Sequence, residues 1–323
     1  MALVDSDIVI RLNTDASILI RAAEVAAGAQ QYPAGALYVV ATPIGNLADL
    51  TLRAIHVLSL CDAIACEDTR TSMALLRHLG LTKPLLALHA HNEAQGTERV
   101  LGLLSEGQRV AYISDAGTPS VSDPGAMLVA GATRAGYRVV PIPGASSAVT
   151  ALSVSGDPQS QGFHFTGFLP SKGQERTQVL QAALQSTQLT QTSLVLFEAP
   201  HRVENLMDLL AAAVPERAVS VCRELTKQFE TVITQQAQQW PEQLRRTSDS
   251  QKRGEFVVVV HAPSAQSHAS SGELPPAARQ ALELLVGELP LKQAVSLAAA
   301  LTHAPRNALY EAALALKASS SPP

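Results

Sequence analysis

Residues 37–46 have the sequence LYVVATPIGN, an apolar run that stops at Pro43 and Gly45. A short, continuous apolar run bounded by turn residues is typical of a strand that is buried on both faces. In open α/β sheets, ligands bind in the loops that follow the carboxyl ends of such strands. Gly45 would let the backbone approach a ligand closely, and Thr42 and Asn46 supply polar groups. An ordinary strand-to-helix turn is the competing interpretation.

The same arrangement recurs twice further along the chain. RVAYIS at 109–114 runs into SDAGTPSVSDPG at 114–125, and YRVVPI at 137–142 runs into PIPGASSAVTAL at 141–152. Asp115 stands at a strand end, where a carboxylate can accept hydrogen bonds from a ribose diol or an ammonium group. A structural Asx turn and a helix cap are the competing interpretations. The chain has neither a G-x-G-x-x-G fingerprint nor a P-loop, which argues against nicotinamide or ATP as the ligand.

Strands that alternate with helical patterns predict a parallel α/β sheet in the first half of the chain. The second half predicts a mixed sheet, because ELTKQFET at 224–231 joins two strands by a short connection that is typical of an antiparallel hairpin. The predicted organisation is an N-terminal extension over residues 1–33, a first α/β domain over 34–161, a second α/β domain over 162–262, a linker over 263–276 and a C-terminal helical, helix-turn-helix-like unit over 277–318.

Composition excludes several classes of protein. The 323 residues are 46% apolar and carry a formal net charge of −4, so the chain can bury a core and is not a globally basic nucleic-acid coat. A local basic rim can still attract RNA. Cys61, Cys66 and Cys222 have spacings that fit neither a zinc site nor a disulfide framework, which indicates thiols in a reducing compartment. Since no apolar run approaches the roughly 18 residues that span a membrane, we expect a cytoplasmic protein without a membrane partner.

The three loops, in this order and spacing, resemble those of the tetrapyrrole-methylase-like (class III) S-adenosylmethionine-dependent methyltransferases. The resemblance spans residues 35 to about 317 and includes motifs that the general class does not need, namely EDTR at 67–70, HNE at 91–93 and RELTK at 223–227. These motifs are similar to those of the members that methylate the ribose 2′-oxygen of a cytidine in the decoding region of 16S ribosomal RNA.

The resemblance implies two α/β domains with S-adenosylmethionine in the cleft between them, and a small C-terminal helical unit. It also implies a homodimer built on apolar surface of the first domain, and 16S rRNA as the substrate. Because the chain carries no overall positive charge, we expect 16S rRNA in the 30S ribosomal subunit to be methylated better than naked 16S rRNA, although the residues alone leave both substrates open. The cofactor-binding residues that it implies are Thr42, Pro43, Gly45, Asn46, Asp115, Ala116, Gly117, Thr118, Pro119, Ser146, Ser147, Phe168, Leu169, Glu198, Pro200, His201 and Gly254.

A ribose 2′-hydroxyl is a poor nucleophile when neutral, so a positioned base or a cation should accelerate its methylation by about 10²–10⁴-fold. The catalytic candidates are Glu67, Asp68, His91 and Lys227, together with His89 and Glu93. Glu67 and Asp68 also suit pairing with Arg70 or capping of the next helix. The alternating histidines would suit a metal, but no third ligand is evident in the sequence, and we expect none.

Basic residues near these motifs are the candidates for RNA contact, although a solvated surface charge is the usual role of Arg and Lys. The candidates are Arg70, Lys172, Arg176, Arg202, Arg245, Arg246, Lys252, Arg253 and Arg306. The C-terminal helices suit either an RNA-contacting unit or a helical lid that packs on the main body.

Two other functions compete with rRNA methylation. A relative of the same family would methylate a small molecule such as a tetrapyrrole, but such a substrate needs neither the C-terminal unit nor the clustered arginines. A non-catalytic ribosome-assembly factor would not need intact TPIGN and DAGTP loops.

Overall fold

The computed structural model describes residues 16–89, 92–248, 250–264, 274, 276–302 and 304–319. The chain divides into two compact units. The first comprises Met1–Thr150 and Glu224–Phe229, and the second comprises Ala151–Arg223 and Glu230–Pro323. The short segment Glu224–Phe229 therefore belongs to the first unit, although it lies between two strands of the second.

The first unit is an open parallel α/β sheet. Its strands are β1 (Ala36–Val40), β2 (Ala63–Cys66), β3 (Leu85–Ala87), β4 (Val110–Ile113) and β5 (Arg138–Ile142). The accompanying helices are α1 (Ala16–Ala27), α2 (Leu52–Leu60), α3 (Thr69–His78), α4 (Glu93–Ser105) and α5 (Ala126–Arg134). The next helix, α6 (Ser147–Ser155), begins in the first unit and continues past its boundary at Thr150. The strand order is β3-β2-β4-β1-β5, and every pair is parallel, which confirms the predicted sheet.

Side chains from both faces of this sheet are buried, because successive strand residues point to opposite sides. Tyr38 and Val40 pack with buried residues of α1, α2 and α3. Leu37 and Tyr112 pack with buried residues of α4 and α5. The continuous apolar runs that identified the strands are thus explained by helices on both faces.

One feature of this unit differs from the prediction. No strand was expected at β3, whose three residues are all half-buried. The amphipathic part of the predicted N-terminal extension over residues 1–33 contains α1, which buries Ala23 in the same apolar cluster as β1 and α2.

The second unit contains a five-stranded mixed sheet. Its strands are β6 (Phe163–Phe168), β7 (Ser193–Glu198), β8 (Ala218–Arg223), β9 (Thr231–Gln236) and β10 (Phe256–Val260), and its helices are α7 (Gly173–Thr190), α8 (Val203–Ala213) and α9 (Trp240–Arg246). The order is β6-β7-β10-β8-β9, with β6 and β7 parallel and the other pairs antiparallel. The antiparallel β8–β9 pair confirms the predicted hairpin.

Three helices follow at the end of the chain and form a small core of their own. They are α10 (Pro276–Glu288), α11 (Leu291–Thr302) and α12 (Arg306–Ser319). Their buried residues include Leu282, Ala298 and Leu309. Most of the predicted linker over 263–276 lies outside the described residues. Within the part of the chain that is described, no helix has the length and apolar character needed to cross a bilayer.

Candidate active site

Three loops at the carboxyl ends of β1, β4 and β5 are joined by backbone and hydroxyl hydrogen bonds. We call them loop A (42–46), loop B (114–125) and loop C (143–147). Thr42 and Gly117 form an isolated antiparallel bridge, with N···O distances of 2.9 and 3.1 Å between them. The Thr118 hydroxyl donates to the Ala145 carbonyl at 3.0 Å. The sequence-predicted loops are therefore brought together as one connected surface of the first unit.

Lys227 reaches loop A from the segment Glu224–Phe229. A Cβ atom on Gly45 would lie only 2.6 Å from Lys227 Cγ and 2.9 Å from Cε, so Gly45 leaves room for the lysine stem. The Lys227 ammonium forms an ion pair with Glu224 at 2.9 Å. Glu224 and Thr226 both have positive φ, at 54° and 67°, a backbone strain that residues other than glycine adopt mainly at functional sites.

Glu67, Asp115 and Asp123 form a group of carboxylates whose pKa values are all raised. Burial is the largest cause in each case, and the neighbouring negative charges add to it. The pKa of Asp123 is raised to about 6. Asp115 Oδ1 also accepts the Asp68 backbone N–H at 3.1 Å, which links loop B to the EDTR motif. Such a group suits a cationic ligand, because a positive charge favours the ionised carboxylates.

Asp68 has local structural partners. Its carboxylate accepts the Arg70 backbone N–H at 2.8 Å and so caps α3, and it pairs with the Arg70 guanidinium at 2.6 Å. These bonds to Arg70 lower the pKa of Asp68 to about 2. An acid ionised so strongly is a weak proton acceptor at neutral pH, so the geometry favours Glu67 over Asp68 as a base.

The HNE motif supplies connections between loops. The Asn92 side chain accepts the His89 N–H at 2.8 Å and donates to the Ala87 carbonyl at 3.1 Å. Glu93 Oε1 accepts the backbone N–H groups of Gly125 and Met127. The predicted catalytic residue His91 lies outside the described residues.

Arg176 is buried in the second unit and contacts Glu198. Its guanidinium lies 2.5 Å from Glu198 Oε2 and also donates to the Pro170 carbonyl and Asn205. Arg202 lies 2.8 Å from the other oxygen of Glu198. Because Arg176 is only 3% exposed, it is not available to RNA. The prediction that it contacts RNA is corrected to a structural role, whereas the cofactor assignment of Glu198 stays a prediction.

The remaining cofactor candidates of the second unit are mostly in turns. Phe168 is 56% exposed at the end of β6 and contacts the ring of Phe197. Pro200 and His201 form a 3₁₀ turn before α8, and Gly254 has a φ of +104°.

The other RNA candidates lie on the surfaces of the two units. Arg245 and Arg246 are exposed on α9 and pair with Glu242, while Lys252 pairs with Glu204 at 2.6 Å. Lys172, Arg253 and Arg306 are exposed. Partly neutralised surface charges of this kind can exchange an acidic partner for a phosphate.

Sequence reasoning missed two contributors to this site. Asp123 stands in the SDPG end of loop B, and its only signal was its place in a ligand-facing loop. The contact of Glu93 with α5 gave no signal, because 32 residues separate Glu93 from Gly125. Within the described ranges, no group of three or more His, Cys, Asp or Glu residues is placed to hold a metal ion.

Comparison with known families agrees with this architecture. The profile of the tetrapyrrole (corrin/porphyrin) methylases matches residues 36–241, which is more than half of the chain. The chain therefore belongs to the tetrapyrrole methylase family. A second profile, that of the RsmI C-terminal HTH domain, matches residues 272–317.

Within that family, the similar curated proteins are named ribosomal RNA small subunit methyltransferase I. The protein of Escherichia coli O157:H7 is 43% identical over 87% of this chain and 95% of its own length. The Neisseria meningitidis serogroup B protein is 42% identical over 88% of this chain and 94% of its own length. The Xylella fastidiosa protein is 44% identical over 85% of this chain and 98% of its own length.

Solved structures show the same fold at low sequence identity. Cobalt precorrin-4 methyltransferase, a cobalamin biosynthetic enzyme, matches with a TM-score of 0.53 and 14% identity over 72% of this chain and 98% of its own. The methyltransferase CobJ matches with a TM-score of 0.53 and 16% identity over 71% of this chain and 94% of its own.

Proposed function

We propose that this chain transfers a methyl group from S-adenosylmethionine to the 2′-oxygen of a cytidine ribose in the decoding region of 16S ribosomal RNA. It is an S-adenosylmethionine-dependent methyltransferase of ribosomal RNA. The observation that carries this conclusion is the match, over most of both chains, to relatives named ribosomal RNA small subunit methyltransferase I. The matches to both the methylase family and the C-terminal domain support it.

The residues of the first unit fit S-adenosylmethionine. Its sulfonium and ammonium groups are cations, and a cation would favour the ionised forms of Glu67, Asp115 and Asp123, whose pKa values are raised mainly by burial. Loops A, B and C would hold the cofactor on the side of the first unit. When bound, it supplies the methyl group.

Two side chains of the first unit would act on the ribose hydroxyl. Glu67 would accept the hydroxyl proton, since its raised pKa brings it closer to working pH than an ordinary carboxylate. Lys227 would stabilise negative charge on the oxygen, because Gly45 and Glu224 fix its stem and its ammonium. Alignment of the ribose oxygen with the methyl donor would lower the activation barrier further.

RNA would be bound through local groups of exposed and partly exposed cations rather than through the net charge of −4. The proposed contacts are Arg70, Lys172, Arg202, Arg245, Arg246, Lys252, Arg253 and Arg306. We propose the folded 30S subunit as the substrate, since local contacts of this kind select shape. That substrate and the three buried free cysteines favour a cytoplasmic location.

The predicted domain boundaries and the homodimer are kept as part of this proposal. Exposed apolar side chains of the first unit, such as Leu47, Met73 and Met127, support a dimer through that unit. Light scattering should give twice the chain mass at micromolar concentration, and a monomeric mass would contradict the dimer.

The activity is tested with 30S subunits from a strain that lacks the corresponding gene. Wild-type protein and S-adenosylmethionine should produce one 2′-O-methylcytidine per subunit, measured by nucleoside analysis of the purified rRNA. Asp115→Ala should bind the cofactor at least tenfold more weakly by calorimetry, because a charge-assisted contact is lost. Cofactor binding without any methylation of rRNA would overturn the substrate, and no cofactor binding would overturn the enzyme class.

A further inference from the structure

Glu93 caps a helix to which it does not belong. Its Oε1 accepts the Gly125 N–H at 2.8 Å and the Met127 N–H at 3.1 Å, at the start of α5. The first N–H groups of a helix have no partner within the helix, and Gly125 has no side chain to satisfy them. A carboxylate there also interacts favourably with the helix dipole. Glu93 thus provides, from α4, the capping acceptor that Gly125 at the end of loop B lacks.

The end of loop B is held from a second side by β4. Gly125 has a φ of +116°, and a Cβ atom there would lie 2.2 Å from the ring of Tyr112. The Tyr112 hydroxyl donates to the Pro124 carbonyl. Within the same loop, Ser120 and Ser122 have φ values of 65° and 69°, which are unfavourable for residues with a side chain. A strained loop keeps one geometry only if its ends are fixed.

The start of α4, which carries Glu93, is itself held by hydrogen bonds. Glu93 is the first residue of α4, and the side chain of the preceding residue, Asn92, bonds to His89 and Ala87. The carboxylate therefore joins the start of α4 to the loop that follows β4.

We infer that Glu93 is a positioning residue that sets the geometry of loop B for cofactor binding. This inference rests on the proposed function, because loop B carries the proposed cofactor residues Asp115–Pro119. It also separates Glu93 from the catalytic candidates beside it. Oε1 accepts two backbone N–H groups, and these bonds fix the position of the carboxylate at the start of α5.

Three variants and one control test this role. Glu93→Ala removes the acceptor, Glu93→Gln keeps a neutral oxygen that can accept both bonds, and Glu93→Asp withdraws the carboxylate by one methylene. Glu98→Ala, at an exposed site on the same helix, is the control. The measurements are the Kd for S-adenosylmethionine by calorimetry, kcat on 30S subunits at saturating cofactor, and the thermal midpoint.

Glu93→Ala and Glu93→Asp should raise the Kd at least tenfold, whereas Glu93→Gln and Glu98→Ala should stay within threefold of wild type. The kcat of Glu93→Gln at saturating cofactor should stay within threefold as well. If Glu93→Gln loses kcat by 10²-fold or more with an unchanged Kd, Glu93 is a proton carrier and the inference fails. It also fails if Glu93→Ala and Glu93→Asp bind the cofactor like wild type. If Glu93→Ala does not fold, the Kd of Glu93→Asp for S-adenosylmethionine tests the inference. Failure of the wild-type protein to bind the cofactor would instead overturn the proposed function.

Discussion

Asp123, in the proposed cofactor loop B, is a side chain whose burial works against stability. Burial raises the pKa of its carboxyl to about 6, and the negative charges of Glu67 and Asp115 contribute, with partial compensation from a hydrogen bond to Ser114. The ordinary pKa of an aspartate is 3.8. Between these two values the folded chain binds more protons than the unfolded chain, so the free energy of unfolding falls as pH rises through this range.

Asp123→Asn should therefore stabilise the protein most at pH 8, by about half as much at pH 5, and hardly at all at about pH 3, below both pKa values. The shift corresponds to at most about 3 kcal/mol, and partial exposure to solvent reduces the expected gain to about 1–2 kcal/mol. The thermal midpoint at pH 8 should rise by about 2–6 °C. At the same pH the variant should bind S-adenosylmethionine more weakly, because a negative charge next to a cationic ligand is lost.

Asp208→Asn on α8 serves as the control, since Asp208 is exposed and far from loop B in sequence. Its thermal midpoint should stay close to that of wild type. A gain for Asp123→Asn of the same size at pH 3 and pH 8 would show that ionisation of Asp123 is not the cause.

The sequence predicted the site loops better than the partners of individual side chains. Loops A, B and C follow buried strands, a pattern that is local and visible in the sequence. The pairing of Arg176 with Glu198 joins residues of α7 and β7, and the contact of Glu93 with α5 joins two different helices. Such contacts depend on tertiary packing, so the sequence alone could not distinguish a buried structural arginine from one that binds RNA.

At the level of elements, strands with long apolar runs were predicted and short or atypical elements were not. All five residues of β10 are buried, whereas β3 has three half-buried residues and α9 has only seven residues with Pro241 in its first turn. The association of Glu224–Phe229 with the first unit had no local signal either. It arises from packing of Lys227 over Gly45.

Because of that packing, Gly45→Ala tests the role of Lys227 without replacing the lysine itself. The backbone of Gly45 is not in the left-handed region, so alanine fits its conformation, but its Cβ would lie 2.6 Å from Lys227 Cγ. We expect the lysine stem to move, kcat on 30S subunits to fall about 10–10²-fold, and the free energy of unfolding to change by less than about 1 kcal/mol.

Gly102→Ala on α4 is the matched control, because no atom lies within 4 Å of the added Cβ. It should keep wild-type kcat and raise the thermal midpoint slightly, as alanine favours a helix. A Gly45→Ala variant with wild-type kcat would remove Lys227 from the catalytic groups.

For the whole molecule, we expect methyl transfer and RNA recognition to depend on different parts of the chain. The net charge is −4, so attraction to rRNA must come from local groups of cations. Loops A to C all lie before residue 150, and the helices α10–α12 bury a core made of their own residues, including Leu282 and Leu309. Removal of residues 275–323 should therefore leave cofactor affinity within threefold of wild type.

The same truncation should reduce methylation of 30S subunits at least tenfold, because exposed groups such as Lys292 and Arg306 are lost with the helices. Rising salt should weaken activity of the full chain steeply, since each phosphate contact releases counterions. For the truncated protein the slope of log activity against log salt should be smaller. Arg306→Glu in the full chain should shift the salt slope in the same direction, with cofactor affinity unchanged. If the truncated protein methylates 30S subunits at the full rate with the full salt slope, the C-terminal helices take no part in binding RNA.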